Sequence, residues 1–259
     1  MNIAIVTGAS AGLGEEFARQ LNATAELDEI WLIARRADRL HALAEELTRT
    51  RSRVLAVDLT SAADLQTFRT TLDTVKPRVR WLVNNAGFGK MGAFDSVSTE
   101  KNLEMIDLNV RALTELTQRV LPYMPADSQI VQVASSAGFS PMTHFAVYAA
   151  TKAYVVNFSQ ALGAELRPRG IRVTAVCPGP VDTEFFMVAA ETGGRKSPPM
   201  AANPVHVVGQ ALRDARKGRS LSVYGAPIRL WVAVSGIVPR ALVLRMTAWF
   251  KKEQLARLQ

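Results

Sequence analysis

Short runs of β-branched and other apolar residues alternate with longer stretches of helical periodicity through most of the chain, and few folds accept that order. Ile3–Thr7 precedes a helical pattern over Glu15–Leu21, Ile30–Ile33 precedes one over Ala37–Thr50, and Arg53–Val57 precedes one over Ala62–Val75. The series continues through Trp81–Val83, a long helix over Lys101–Tyr123, Gln129–Ala134, a helix over Phe145–Leu166 and Ile171–Val176, with a last strand near Ser220–Tyr224. Strand–helix–strand repetition predicts an α/β protein: a Rossmann-like, doubly wound parallel β-sheet with helices on both faces. With 259 residues, 48% of them apolar, the chain can build it as a single domain spanning 1–259. One stretch breaks the rhythm: Thr183–Pro204 contains Gly193-Gly194 and Pro198-Pro199, and so long a loop predicts a substrate lid over about 184–204.

Charge and cysteine content narrow the function classes. The formal charge of +8 resides wholly in the C-terminal part, where ten Lys/Arg from Arg213 onward face two acids, while the preceding 212 residues carry 21 of each sign. The main body has no electrostatic reason to seek phosphate backbones, so nucleic acid is not an expected partner. The single cysteine, Cys177, cannot form an internal disulfide, and His41, His144 and His206 lack metal-ligand spacing; no metal site is expected. With Met1–Thr7 already reading as a strand, the expected setting is the cytoplasm.

The chemistry concentrates in a few motifs. Thr7-Gly-Ala-Ser-Ala-Gly-Leu-Gly14 closes the first strand and opens the first helix, where free backbone N–H groups and the positive helix end meet a dinucleotide pyrophosphate. Gly8, Gly12 and Gly14 permit the tight turn and the close backbone approach. Tyr148 and Lys152 lie four apart at the start of a helical pattern, so both project from one face. A phenol titrates near ~10, and an adjacent ammonium is expected to lower that value and make the pair a proton shuttle. The Tyr148–Lys152 pair alone fits an ordinary amphipathic helix; its combination with the glycine loop does not.

Together with Asn84-Asn85-Ala86-Gly87, Asn109, Ser135 and Tyr148-Ala-Ala-Thr-Lys152, the TGxxxGxG loop resembles the short-chain dehydrogenase/reductase family, in the family's order and spacing from residue 2 to about 183. The resemblance implies hydride transfer to or from a nicotinamide cofactor. It assigns Tyr148 as general acid/base, Lys152 as its partner and ribose anchor, and Asn109 as support for a proton relay. Ser135, thirteen residues before Tyr148, is the implied binder of the substrate oxygen; Ser136 is its competitor, since strand alternation sends the two to opposite faces. The cofactor contacts it implies are Gly8, Ser10, Gly12, Leu13, Gly14, Arg35, Arg36, Asp58, Leu59, Asn85, Gly87, Tyr148, Lys152, Pro178, Gly179, Val181 and Thr183. At the end of the second strand, Ile33-Ala34-Arg35-Arg36 offers no acid to a ribose 2′-hydroxyl before Asp38, whereas a guanidinium fork suits a 2′-phosphate. NADP(H) is therefore preferred and NAD(H) is the alternative, with Arg35 the first choice of contact and Ser10 its helper. The competing account of Arg35 and Arg36 is a solvated helix start. Cys177 reads as a small buried apolar residue and His144 as a rim residue.

The C-terminal extension, about 228–259, is apolar but broken by Arg229, Pro239, Arg240 and Arg245; its longest uncharged run of ten residues, Leu230–Pro239, is too short to span a bilayer. Leu242, Val243, Met246, Trp249 and Phe250 share a helical face, with Arg240, Arg245, Lys251 and Lys252 largely off it and Arg257 on the apolar arc. That face is expected on the core, a neighbouring subunit or the cleft, with peripheral contact to an anionic membrane surface as the alternative. Phe185, Phe186 and Met187 point to an apolar acceptor pocket. The sequence is thus read as an NADPH-dependent oxidoreductase that reduces a hydrophobic ketone or aldehyde to an alcohol, or runs the reverse, as a homodimer or homotetramer; the alternative is a non-catalytic NADP-binding sensor or scaffold.

Overall fold

In the computed structural model, which describes residues 1–190, 200–239 and 241–245, one parallel sheet is built from β1 (Asn2–Thr7), β2 (Glu29–Ala34), β3 (Arg51–Ala56), β4 (Arg78–Asn84), β5 (Gln129–Val133), β6 (Arg172–Val176) and β7 (Leu221–Ser222). Its order is β3-β2-β1-β4-β5-β6-β7. The helices are α1 (Gly12–Thr24), α2 (Ala37–Glu46), α3 (Ala62–Val75), α4 (Thr99–Ile106), α5 (Leu113–Val120), α6 (Ala146–Leu166), α7 (Phe185–Ala190), α8 (Pro204–Arg216) and α9 (Ala226–Ser235).

β1 and β2 are buried and largely apolar on both sides because both faces are covered. Ala4 and Val6 point to one layer with Phe17 and Leu21 of α1, Leu40 of α2 and Leu212 of α8. Ile3 and Ile5 point to the other, with Phe68 and Leu72 of α3 and Leu116 and Val120 of α5. The chain leaves β1 for β2 on one side and later returns to β4 on the other, with Ile5 facing both Trp31 and Leu82. That reversal opens a crevice beyond the carboxyl ends of β1 and β4, the place where open α/β sheets bind ligands.

Several boundaries differ from the sequence expectation. α2 stops at Glu46 rather than Thr50, and β3 starts at Arg51 rather than Arg53. Pairing with β2 decides this: Arg51 sits opposite Glu29 and Arg53 opposite Trp31, with the Arg53 guanidinium 5.5 Å from the Trp31 ring centroid. The long helix is two helices, α4 and α5, joined by a π-helical turn over Asp107–Ala112 and ended by a 3₁₀ turn at Leu121–Tyr123. The last strand shrinks to Leu221–Ser222, the residues that find partners on β6. Part of the expected lid is ordered secondary structure: α7 occupies Phe185–Ala190, and Val181 bridges Ala202. Positions 191–199 lie outside the described residues, as do Arg240, Met246, Trp249, Phe250, Lys251, Lys252 and Arg257 of the expected C-terminal helix. Among the described residues, no helix is long and apolar enough to cross a membrane.

Candidate active site

The glycine loop is shaped by positive φ and by crowding. Gly8 and Gly12 have φ of 65° and 58°, a region costly for residues with a Cβ. A Cβ on Gly8 would lie 2.6 Å from Asn85 Nδ2, and one on Gly14 would run into the Gly8 carbonyl and the same amide. Ala11, at the N-cap of α1, has no side-chain acceptor to offer the first turn. The cradle therefore leaves helix-start N–H groups open to an anion, and it fits the pyrophosphate of a dinucleotide. Leu13 packs on the core beneath it.

Thr7 ties this loop to the end of β4, a role the motif did not reveal. Its hydroxyl accepts from the backbone N–H of Asn85 at 2.9 Å and of Ala86 at 3.0 Å, and donates to the Val83 carbonyl at 3.3 Å. Asn85 Nδ2 returns bonds to the Thr7 and Gly8 carbonyls at 3.0 and 3.2 Å. The only available sequence clue was a β-branched hydroxyl residue at a strand end, which is common elsewhere. Gly87 lies where a Cβ would come 2.8 Å from Asn109 Oδ1 and 3.6 Å from Lys152 Nζ.

Across the crevice, α6 delivers Tyr148 and Lys152 into a dry environment: they are 6% and 5% exposed. Ser135, extended at φ −169° after β5, caps a 3₁₀ turn by accepting from the Ala137 N–H at 3.1 Å and stands beside the Tyr148 phenol. Ser136 is used differently, with its backbone N–H donating to the Pro178 carbonyl at 2.9 Å. Burial pushes the Tyr148 phenol up to about 12, against the opposing pull of the Ser135 hydroxyl. This corrects the expectation that the neighbouring ammonium lowers it. Lys152 Nζ sits 5.6 Å from the Tyr148 ring centroid and gives its hydrogen bond to the Val133 carbonyl at 2.8 Å. Burial pushes Lys152 itself down to about 8, partly opposed by Cys177.

Asn109, fully buried in the π-helical turn, clamps a loop instead of standing free. Its Oδ1 accepts from the Phe88 N–H at 3.1 Å, and its Nδ2 donates to the Phe88 carbonyl at 2.9 Å and to Thr151 Oγ1 at 3.1 Å. The π turn brings it against Gly87. Around Tyr148 gather side chains that sequence patterning left scattered. Phe145 stacks on its ring at 4.2 Å, Phe185 lies at 5.4 Å, and Phe88, Met91 and Met142 complete an apolar cluster.

On the adenosine side, the exposed Arg35 faces Asp58 at 3.8 Å and Glu104 at 3.9 Å. Arg36 is the guanidinium that reaches the glycine loop, donating to Ser10 Oγ at 3.2 Å and to the Ser10 carbonyl at 3.3 Å. Asp58 accepts from the Thr60 N–H and hydroxyl at 2.9 and 2.7 Å; these bonds hold its carboxyl below the usual range despite burial, which pushes the other way. Leu59 is buried in the core. Gly179 faces Ile228 of α9, whose Cδ1 would lie 2.6 Å from an added Cβ, and Thr183 packs over Gly12. Cys177 is fully buried with its thiol pushed up to about 12 by burial, so it is no nucleophile. His144 is exposed with a left-handed φ of 57°.

A glycine cradle at the switch point of a parallel sheet, facing a buried Tyr–Lys pair with a serine beside it, defines a dinucleotide-dependent oxidoreductase site. The chain belongs to the short chain dehydrogenase family, whose model matches residues 2–193, and it is an NAD(P)-dependent oxidoreductase that binds a nicotinamide cofactor. It is 36% identical over 201 residues to sulfoacetaldehyde reductase 2 of Chromohalobacter salexigens, covering 74% of this chain and 77% of that protein. Its fold is similar to a short-chain dehydrogenase from Sphingobium yanoikuyae in complex with NADPH (TM-score 0.79, 31% identity, 92% of this chain and 93% of the other). It is also similar to the bulky-bulky ketone specific alcohol dehydrogenase from Comamonas testosteroni (TM-score 0.74, 28% identity, 92% and 93% covered).

Proposed function

We propose that the protein is an NADPH-dependent carbonyl reductase acting on a hydrophobic ketone or aldehyde. The carrying observation is the buried phenol of Tyr148 beside Ser135 and inside a cluster of aromatic and methionine side chains, a dry setting that pushes its pKa up and keeps the proton on it. A protonated phenol is a donor, which suits reduction: Tyr148 gives its proton to the carbonyl oxygen, while Ser135 Oγ donates a hydrogen bond to the same oxygen. When bound, the nicotinamide supplies the hydride to the carbonyl carbon. Lys152 holds the nicotinamide ribose, and Asn109 keeps the Phe88 loop and Thr151 in place behind the lysine, supporting its resupply of protons.

Gly8, Gly12, Gly14 and Leu13 hold the pyrophosphate side; Asn85, Gly87, Pro178, Gly179, Val181 and Thr183 hold the nicotinamide side; Asp58 and Leu59 hold the adenine side. Arg36 with Ser10, flanked by Arg35, supports a preference for a 2′-phosphate over the bare hydroxyl of NAD(H). The apolar walls Phe145, Phe185 and Met142 favour a bulky apolar acceptor, in line with the ketone named for the Comamonas relative. Of the expected lid over 184–204, the described helix α7 serves as the part that covers Tyr148. NADPH oxidation measured with apolar ketones, polyol-derived carbonyls and sulfoacetaldehyde tests the proposal, and Tyr148→Phe tests the donor. The reading predicts fastest turnover of apolar ketones and a loss of about 10²–10⁴-fold in the variant at unchanged NADPH affinity. Equal rates in both proteins would leave the proton-donor role of Tyr148 without support.

The reading extends to assembly and location. Leu103, Ile106 and Tyr154, exposed on α4 and α6, favour a homodimer or homotetramer through these helices, which light scattering checks. Leu230 and Val234 on α9 and Ile237 just past its end are exposed, within a stretch, 215–252, that contains no acidic residue. This supports peripheral contact of a cytoplasmic protein, as the sequence reading expects, with anionic bilayers; cosedimentation with anionic but not zwitterionic vesicles is the expected result.

A further inference from the structure

Two arginines beside the glycine loop already hold an anion. Glu184 places one carboxylate oxygen 3.1 Å from Arg36 Nη1 and the other 2.6 Å from Arg39 Nη1. Arg36 at the same time bonds Ser10 of the glycine loop. The contacts hold the Glu184 carboxyl below its usual range, Arg39 first, so it stays charged at neutral pH. The next residue, Phe185, lies 5.4 Å from the Tyr148 ring, and α7 continues to Ala189, whose carbonyl accepts from the Met91 N–H at 2.8 Å. One short segment therefore touches the adenosine-side arginines with one residue and the reacting tyrosine with its neighbour.

We propose that Glu184 is a specificity-determining residue that stands in for the cofactor 2′-phosphate and leaves the Arg36–Arg39 fork when that phosphate arrives, loosening Phe185 from Tyr148. The inference rests on the reading of Arg36 as a 2′-phosphate contact. A phosphate monoester carries about −1.5 to −2 charge at neutral pH and three acceptor oxygens, against one charge and two oxygens for the carboxylate. It outcompetes Glu184 for the two guanidinium groups, whereas a ribose hydroxyl has no charge with which to do so. The phosphorylated cofactor thus opens the acceptor face of Tyr148, and the unphosphorylated one leaves Phe185 resting on it.

The test uses the full chain with 2′,5′-ADP and 5′-ADP, fragments that bind without turnover. Hydrogen exchange of the amides of residues 185–189 should rise with 2′,5′-ADP and stay unchanged with 5′-ADP at equal occupancy. Glu184→Gln removes the competing charge at an exposed position, where each ion pair is worth only a few-fold in affinity. It should tighten 2′,5′-ADP by about fivefold, leave 5′-ADP within twofold, and abolish the ligand difference in exchange. If wild type prefers 2′,5′-ADP but Glu184→Gln changes neither affinity nor exchange, the role of Glu184 is overturned while the cofactor reading stands. If wild type shows no preference between the two fragments, both fall.

Discussion

Replacing Thr7 with Val should damage both the fold and the cofactor cradle, although the two side chains have nearly the same shape and β propensity. Thr7 is 1% exposed, and its hydroxyl is the acceptor for two backbone N–H groups, of Asn85 and Ala86. Each donor left unpaired in a fully buried site costs about 1–3 kcal/mol. These two are only partly buried, so the lower end applies and together they cost about 2 kcal/mol. The extra methyl of Val returns less than ~0.8 kcal/mol, because the hydroxyl site is walled by polar backbone. A net loss of about 1.5 kcal/mol is the expectation. Asn85 also packs against Gly8 and Gly14, so the loosened β4 end should weaken cofactor binding in parallel. Urea unfolding followed by circular dichroism gives the first number, and titration with NADPH gives the second. Thr7→Ser, which keeps the hydroxyl, should retain most of the affinity. A Thr7→Val protein within 0.5 kcal/mol of wild type, binding cofactor as tightly, would refute the claim that this hydroxyl joins β1 to β4.

Stability should also depend on pH through Lys152. Its value is lowered from 10.5 to about 8 in the folded protein, so between those limits the unfolded chain binds more protons and stability rises with pH, by a few kcal/mol across the window. Lys152→Met should flatten that rise in urea unfolding at pH 7.5 and 9.5. Tyr148, raised from 10 to about 12, has the opposite sign and costs stability only as pH climbs through that range. Gly14→Ala forces a Cβ into the Gly8 carbonyl and the Asn85 amide; it should lower stability by about 1–3 kcal/mol and abolish NADPH binding in a fluorescence titration. An unaltered affinity would show that the loop can shift aside.

Much of the architecture was open to inspection in the chain itself, since strand alternation and helical period act over a few residues. The α3 boundaries, Ala62–Val75, agree with periodicity to the residue, because Ser61 caps the start through Asp64 N–H and Lys76 ends the helix in a left-handed conformation. The same local logic missed the break between α4 and α5. Nothing in Asp107–Ala112 spells a π turn; it is held where Asn109 meets the Phe88 loop, 21 residues upstream. The second strand pair slipped for a like reason, as β3 begins where β2 offers partners and not where its own apolar run starts.

The residues of the motifs, and hence the family and the type of chemistry, are properties of the sequence, because their spacing fits one strand end, one loop and one helix turn at a time. Tertiary structure alone decided what surrounds them. Arg36 meets Glu184 across 148 positions, and Phe185 and Phe145 enclose a tyrosine that no local pattern could show as dry. Whether a phenol is made more or less acidic depends on how much water reaches it and on which way a lysine turns. Both are set by packing between distant segments, and here burial prevails.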